Sequence, residues 1–188
     1  MARGVHTILV ASKHLSTLID DILESSKIES WNTTLNKENW DISKALRDVL
    51  QILVIEFDVK NIQLDLLIDE NVIINYDEIK IKQVLINIIR NALKFTNHDW
   101  IVKISLTEEE WIVTIVVSDN WMWIKSEDLD KICTPFVQWE NSVKWNIKWT
   151  WLWLAISKWI IEAHSWTFKI ESEWEWKWTI VTITLPKN

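Results

Sequence analysis

Between Glu78 and Phe95 the apolar residues Ile81, Val84, Leu85, Ile88, Ile89 and Ala92 recur at steps of three and four. A strand turns its side chains to alternate faces with a period of two, so this spacing suits only an amphipathic helix. Gln83, Asn87, Asn91 and Lys94 share the opposite side. The helix has to lay its apolar face on something, and the runs Ile101 to Leu106 and Ile112 to Ser118 that follow alternate with a period of two. Helices laid on strands predict an α+β fold, an α/β sandwich in which a mixed sheet packs against helices.

The rest of the chain extends this pattern. Ser43 is a cap for a helix through about Asp58, followed by strand-like Ile62 to Ile68 and Val72 to Tyr76. Ser126 opens a short helix, residues 137–148 are irregular and polar, and a helix is expected from Thr150 to His164. A hairpin of Thr167 to Glu173 with Thr179 to Leu185 closes the domain, and Pro186 ends it. Ahead of all this, residues 5–28 carry Ile8, Leu9, Leu15, Leu18, Ile19, Ile22 and Leu23 at helical spacing. One long amphipathic helix cannot bury its own stripe, so it needs the second helix of a hairpin or another subunit. The expected division is a helix over 1–30 and a globular domain over 31–188.

Charge and cysteine usage exclude several function classes. A net charge of -7 offers no basic surface for a nucleic-acid backbone or an anionic membrane. The single cysteine, Cys133, cannot close an internal disulfide, which suits a reducing, cytoplasmic setting. No apolar run reaches the roughly 20 residues of a membrane helix, and the N-terminus is too polar for a signal peptide. This segment is therefore expected to make no membrane contact.

The turns are anomalous. The chain has 16 Trp and 1 Gly, whereas ordinary glycine usage of about 7% would give roughly 13 in a chain this long. Many tryptophans stand where turns are expected, as in Ser30-Trp31-Asn32, Asn120-Trp121-Met122-Trp123 and Trp174-Glu175-Trp176-Lys177-Trp178. Glycine enters left-handed backbone freely, whereas an indole-bearing residue does so at a cost of about 1 to 2 kcal/mol. The expectation is that most of these residues are glycine in the natural molecule, with UGA codons read as glycine by the host and as tryptophan under another code. Trp40 fits this reading least. The alternatives are a tryptophan-rich surface and an engineered variant.

Three segments carry chemistry. Asn87, Asn91 and Lys94 place two amides one helical turn apart and a cation a turn further on; amide oxygens can ligate Mg2+ and lysine can neutralise phosphate, although such a stripe is more often a solvated face. Asp119 ends an apolar strand before a turn containing Trp121 and Trp123. A carboxylate there can accept a hydrogen bond from an exocyclic amine, and glycines at 121 and 123 would admit a flat ring. Trp149-Thr150-Trp151-Leu152-Trp153-Leu154 opens a helix, and with glycine at 149, 151 and 153 its backbone amides would form an anion site.

These segments, together with Thr134 to Gln138 (TPFVQ), resemble the N, G1, F and G2 boxes of sensor histidine kinases in order and spacing: NIIRNALKFT over 87–96, DNWMWI over 119–124 and WTWLWLAISK over 149–158. SKHLSTLIDDILESSKIES resembles the second helix of that family's dimerisation and phosphotransfer hairpin. The resemblance implies a Bergerat-type ATP-binding fold with ATP and Mg2+ as ligands. Asn91 would hold the metal and, with Lys94, serve the transfer, and Asn87 would lie by the phosphates. Asp119 would read adenine beside positions 121 and 123, Phe136 would anchor a lid over 137–148, and Trp149, Thr150, Trp151, Leu152 and Trp153 would wrap the triphosphate. It further implies a homodimer through the N-terminal hairpin and a response-regulator receiver domain as partner.

The sequence also departs from the family. Cys133 replaces the first Phe of the F box, and no phosphoacceptor box occurs in these 188 residues; His6, His14, His98 and His164 lack its context. Two rivals stand beside this reading. An ATPase of the gyrase, chaperone or mismatch-repair kind would carry a catalytic Glu on the helix of Asn87, where Arg90 sits among Asn87 and Asn91. A nucleotide-dead binding or dimerisation module is the other, because indoles at 121, 123, 149, 151 and 153 would fill the pocket.

Overall fold

The computed structural model describes residues 34–96, 100–119, 129, 150–173 and 178–187. The chain divides into two compact units, Met1–Thr34 and Leu35–Asn188, and every described element belongs to the second. The expected helix over 5–28, the Ser126 helix, Cys133 and the segment 137–148 lie outside the described residues, as do Trp121, Trp123, Phe136 and Trp149.

The described elements run β1 (Glu38–Asp41), α1 (Ile42–Lys60), β2 (Gln63–Ile68), β3 (Ile73–Tyr76), α2 (Glu78–Phe95), β4 (Ile101–Glu109) and β5 (Ile112–Asp119), followed by α3 (Thr150–Ala163), β6 (Thr167–Glu173) and β7 (Trp178–Pro186). Five strands form one sheet in the order β2-β4-β5-β7-β6, while β1 and β3 form a separate ribbon. Strand β2 runs parallel to β4 and the other pairings in the sheet are antiparallel. The sheet is therefore mixed.

Period two sets which face of this sheet is dry. Val113, Ile115 and Val117 of β5 are buried while Thr114, Val116 and Ser118 are half-exposed, and the register puts Ile104, Val117 and Val181 in one row and Leu106, Ile115 and Ile183 in the next. α2 packs against α1, α3 and β5, α3 against β6, and α1 against β2. Leu46, Val49, Leu53 and Phe57 of α1, Ile81, Leu85, Ile88 and Ile89 of α2, and Ile156, Ile160 and Ile161 of α3 complete the core. The α/β sandwich expected from the alternation of periods is thus the architecture found, and the apolar residues of 78–95 are the ones α2 buries.

One local expectation needs correction. Ser43 does not cap α1: Asp41 does, its Oδ1 accepting from the Ser43 and Lys44 amides at 2.9 and 3.2 Å. Ser43 is fully buried and its Oγ accepts from the Val72 amide at 3.3 Å, tying α1 to the chain before β3. The turn tryptophans at 31, 121, 123, 174 and 176 lie outside the described residues, and those within them have no positive φ. Positive φ falls on Asn61, Asn71, Glu110 and Ser165, and the last two immediately precede Trp111 and Trp166. Glu110-Trp111 is the two-residue link between β4 and β5, a connection that requires positive φ at its first central residue. Trp40 lies in β1 opposite Ile74, a paired position where an aromatic residue is at home. Among the described residues no helix is long and apolar enough to cross a membrane.

Candidate functional site

Helix α2 is fixed at both ends before its polar face comes into play. Its N-cap is Asp77, whose Oδ1 accepts from the Lys80 amide at 3.1 Å and whose Oδ2 accepts from the Asn36 amide at 3.0 Å. The Asp77 amide in turn donates to Nε2 of His164 at 3.1 Å, and Nδ1 of His164 lies 2.7 Å from the Ile160 carbonyl, so the imidazole is the neutral Nδ1–H tautomer. Burial pushes this imidazole below the ordinary histidine value. Trp166 packs against the rings of His164 and Tyr76, with centroids 4.9 and 6.1 Å apart. His164, one of the histidines found without a phosphoacceptor context, thus joins the end of α3 to the start of α2.

Along its length α2 is clamped to α1. Lys82 reaches Asp48 at 2.9 Å and Glu78 at 2.8 Å, and both carboxylates, Glu78 first, hold its ammonium above the ordinary lysine value. Arg90 pairs with Glu56 at 3.0 Å. At the C-terminal end Lys60 donates to the carbonyls of Leu93 and Lys94.

On the remaining face stand Asn87 and Asn91. Each side chain is partly buried, and in each the amide nitrogen is shielded from solvent with no hydrogen-bond partner. A buried amide donor without an acceptor costs about 1 to 3 kcal/mol, so two on consecutive turns of one helix do not describe a solvated face. Such donors complement acceptors such as phosphate oxygens, and the companion amide oxygens are hard ligands that suit Mg2+. Among the described residues no three His, Cys, Asp or Glu side chains cluster as a metal cage. Mg2+ characteristically takes one or two protein ligands and completes its shell with water and substrate phosphates, so Asn91 fits the role of ligand to a nucleotide-borne ion. Lys94, a turn beyond, is exposed as a residue, but its ammonium lies 5.2 Å from the Phe95 ring centroid and desolvation lowers its pKa.

Asp119 ends β5 on the helix-facing side of the sheet, 6% exposed. In register it sits between Val102 of β4 and Thr179 of β7. Thr179 is buried as well, and its Oγ1 has no partner. A carboxylate and an unpaired hydroxyl side by side at the end of an otherwise apolar face can read a polar edge of a ligand. Sequence reasoning missed Thr179, whose only signal was its place directly after the Trp-spaced turn that ends at Trp178. Thr150 is the first residue of α3, which packs on α2; Trp151 and Leu152 follow in its first turn, and Trp153 is partly exposed. The fold thus brings together the helix of Asn87 and Asn91, the strand of Asp119 and the helix that opens at Thr150.

Comparisons with known proteins agree with this arrangement. Residues 76–188 match the family model described as histidine kinase-, DNA gyrase B-, and HSP90-like ATPase. The chain is 31% identical over 97% of its length to hybrid signal transduction histidine kinase B of Dictyostelium discoideum, covering 10% of that protein. The solved structure of the Acinetobacter baumannii histidine kinase AdeS superimposes with a TM-score of 0.77 at 25% identity, over 97% of this chain and 83% of that one. Histidine kinase ThkA in complex with response regulator protein TrrA matches with a TM-score of 0.74 at 23% identity, over 94% of this chain and 49% of that one, and bears on the fold alone.

The chain belongs to the histidine kinase-, DNA gyrase B-, and HSP90-like ATPase family. Its fold is the Bergerat type of that family, and its relatives mark it as the ATP-binding catalytic domain of a sensor histidine kinase. The chain spans 10 to 33% of the length of the curated relatives it matches.

Proposed function

We propose that this domain binds Mg-ATP across α2, the end of β5 and the start of α3, and presents the γ-phosphoryl group to a histidine on a separate helix. The observation that carries this reading is the pair of buried, unpartnered amide nitrogens of Asn87 and Asn91 on one face of α2. Bound Mg2+ would neutralise charge on the transferring phosphate, which is most of what a protein contributes to phosphoryl transfer. Asn91 would offer its amide oxygen to the metal and Lys94 a cation to the phosphates, while Asn87 would donate to phosphate. Asp119 accepts from the exocyclic amine of adenine, with the Thr179 hydroxyl beside it.

The remaining assignments rest on the sequence resemblance. Positions 121 and 123 border the base, Phe136 anchors the lid over 137–148, and residues 149–153 wrap the triphosphate, with glycine at 121, 123, 149, 151 and 153 in the natural molecule. Residues 1–30 supply one helix of a dimerisation hairpin and 31–188 the catalytic domain. A response-regulator receiver domain is the onward partner, as in the ThkA complex with TrrA, and the setting is cytoplasmic.

Isothermal calorimetry with Mg-ATP tests the reading on the chain as written and on a variant with glycine at those five positions. Saturable binding by the glycine form, lost in Asn91→Ala, is the expected result. No binding by either form favours the nucleotide-dead module.

A further inference from the structure

The last four carbonyls of an α-helix have no partner within the helix. In α2 these belong to residues 92–95, the turn that holds Lys94 and follows Asn91. The chain itself satisfies one of them, through the Thr96 amide to the Ala92 carbonyl at 2.9 Å. The next two are taken by a single side chain from another helix: Nζ of Lys60 lies 2.5 Å from the Leu93 oxygen and 3.2 Å from the Lys94 oxygen, with the Thr96 oxygen at 3.5 Å. An ammonium has three N–H donors, and here each faces a carbonyl at one helix end.

The origin of this arm is fixed too. Lys60 is the last residue of α1, and Asn61 stops the helix in left-handed backbone at φ 53 and ψ 38, with its amide donating to the Asp58 carbonyl at 3.0 Å. Ile62 then returns its amide to the Phe57 carbonyl at 3.1 Å. The positive charge lies at the negative end of the α2 dipole, and desolvation lowers the Lys60 pKa. Glu56, Lys60, Arg90, Leu93 and Lys94 line one groove of about 350 Å3 between the two helices.

We propose that Lys60 is a positioning residue for the nucleotide site, a cap supplied by α1 that sets the backbone of the last α2 turn, which carries Lys94 and follows directly on Asn91. The role rests on the nucleotide reading above and deepens it. In this role Lys60 acts through the carbonyl of Lys94 itself.

The test compares Lys60→Met, which keeps the aliphatic stem and removes the donors, with Lys60→Arg, which keeps a charged donor group. Each is made in whichever form of the 188-residue chain binds Mg-ATP, and affinity is measured well below the unfolding midpoint. Lys60→Met should speed amide hydrogen exchange within residues 92–96 and weaken Mg-ATP binding roughly tenfold, the range typical of groups that orient a ligand-holding shell. Lys60→Arg should stay near the parent in both. If Lys60→Met does not fold, Lys60→Gln, with a shorter neutral arm, takes its place. Parent-like affinity in a destabilised Lys60→Met protein overturns the positioning role and leaves a stability cap. Unchanged exchange in 92–96 overturns the cap itself. If no parent form binds, the nucleotide reading has failed and the positioning role fails with it, an outcome recognised by the absence of binding heat before any substitution is made.

Discussion

At the scale of single residues, the buried polar atoms separate function from scaffold. Removing a buried donor that already lacks a partner sacrifices no hydrogen bond, so Asn91→Ala should leave the unfolding midpoint at or above the parent value while Mg-ATP binding falls below detection by calorimetry. A large drop in midpoint would instead mark Asn91 as a structural amide. Tyr76 makes a second case: it is fully buried, its hydroxyl has no partner, and burial raises its pKa. Tyr76→Phe removes only the desolvated hydroxyl, and denaturant unfolding should show equal or greater stability, by up to about 1 to 3 kcal/mol. His164 carries the pH dependence. Its folded pKa lies below the ordinary 6.5, so the unfolded chain binds more protons in the interval between the two values. Its stabilising contribution is complete above 6.5 and is lost as pH falls from there through the folded pKa. The midpoint difference between the parent and His164→Gln should accordingly shrink on acidification through that range. A difference that stays constant would show that the imidazole does not titrate with unfolding.

At the scale of elements, α2 is both core and site, and its two faces should fail differently. Leu85 is fully buried, and Leu85→Ala should cost about 2 to 5 kcal/mol in chemical denaturation, in contrast to the silent Asn91→Ala. The division of α2 into two faces was legible in the sequence, because hydrophobic period alone fixes a long helix and its buried side, and the amides of Asn87 and Asn91 stood out on the other. The strands of β4 and β5 were legible for the same reason. What the sequence could not show depends on contacts between distant segments. Asp41 and Ser43 are both good capping residues, and the choice between them is made by the Val72 amide, which occupies the Ser43 hydroxyl. Thr179 gains meaning only from the register that sets it beside Asp119, and Lys60 only from carbonyls at a separation of 33 residues and more. The parallel pairing of β2 with β4 likewise leaves no trace in the periodicity of either strand.

At the scale of the whole molecule, the mixed sheet and the three helices among the described residues carry the proposed nucleotide site across several elements, and the proposal turns on which residues occupy the tryptophan positions. Positions 151 and 153 belong to the first turn of α3, where the proposed site needs bare backbone amides, so whether tryptophan or glycine stands there bears directly on nucleotide binding. Intact mass of the protein from its native host reads this directly: a mass well below 22.5 kDa means glycine at the tryptophan positions, and agreement means genuine indoles. The central claim, that this domain is built to hold Mg-ATP, is tested most directly by calorimetric titration of Mg-ATP into the glycine form and its Asn91→Ala variant. One saturable site in the first and none in the second is the predicted result. Absence of binding in the glycine form, with its fold intact by circular dichroism, would contradict it.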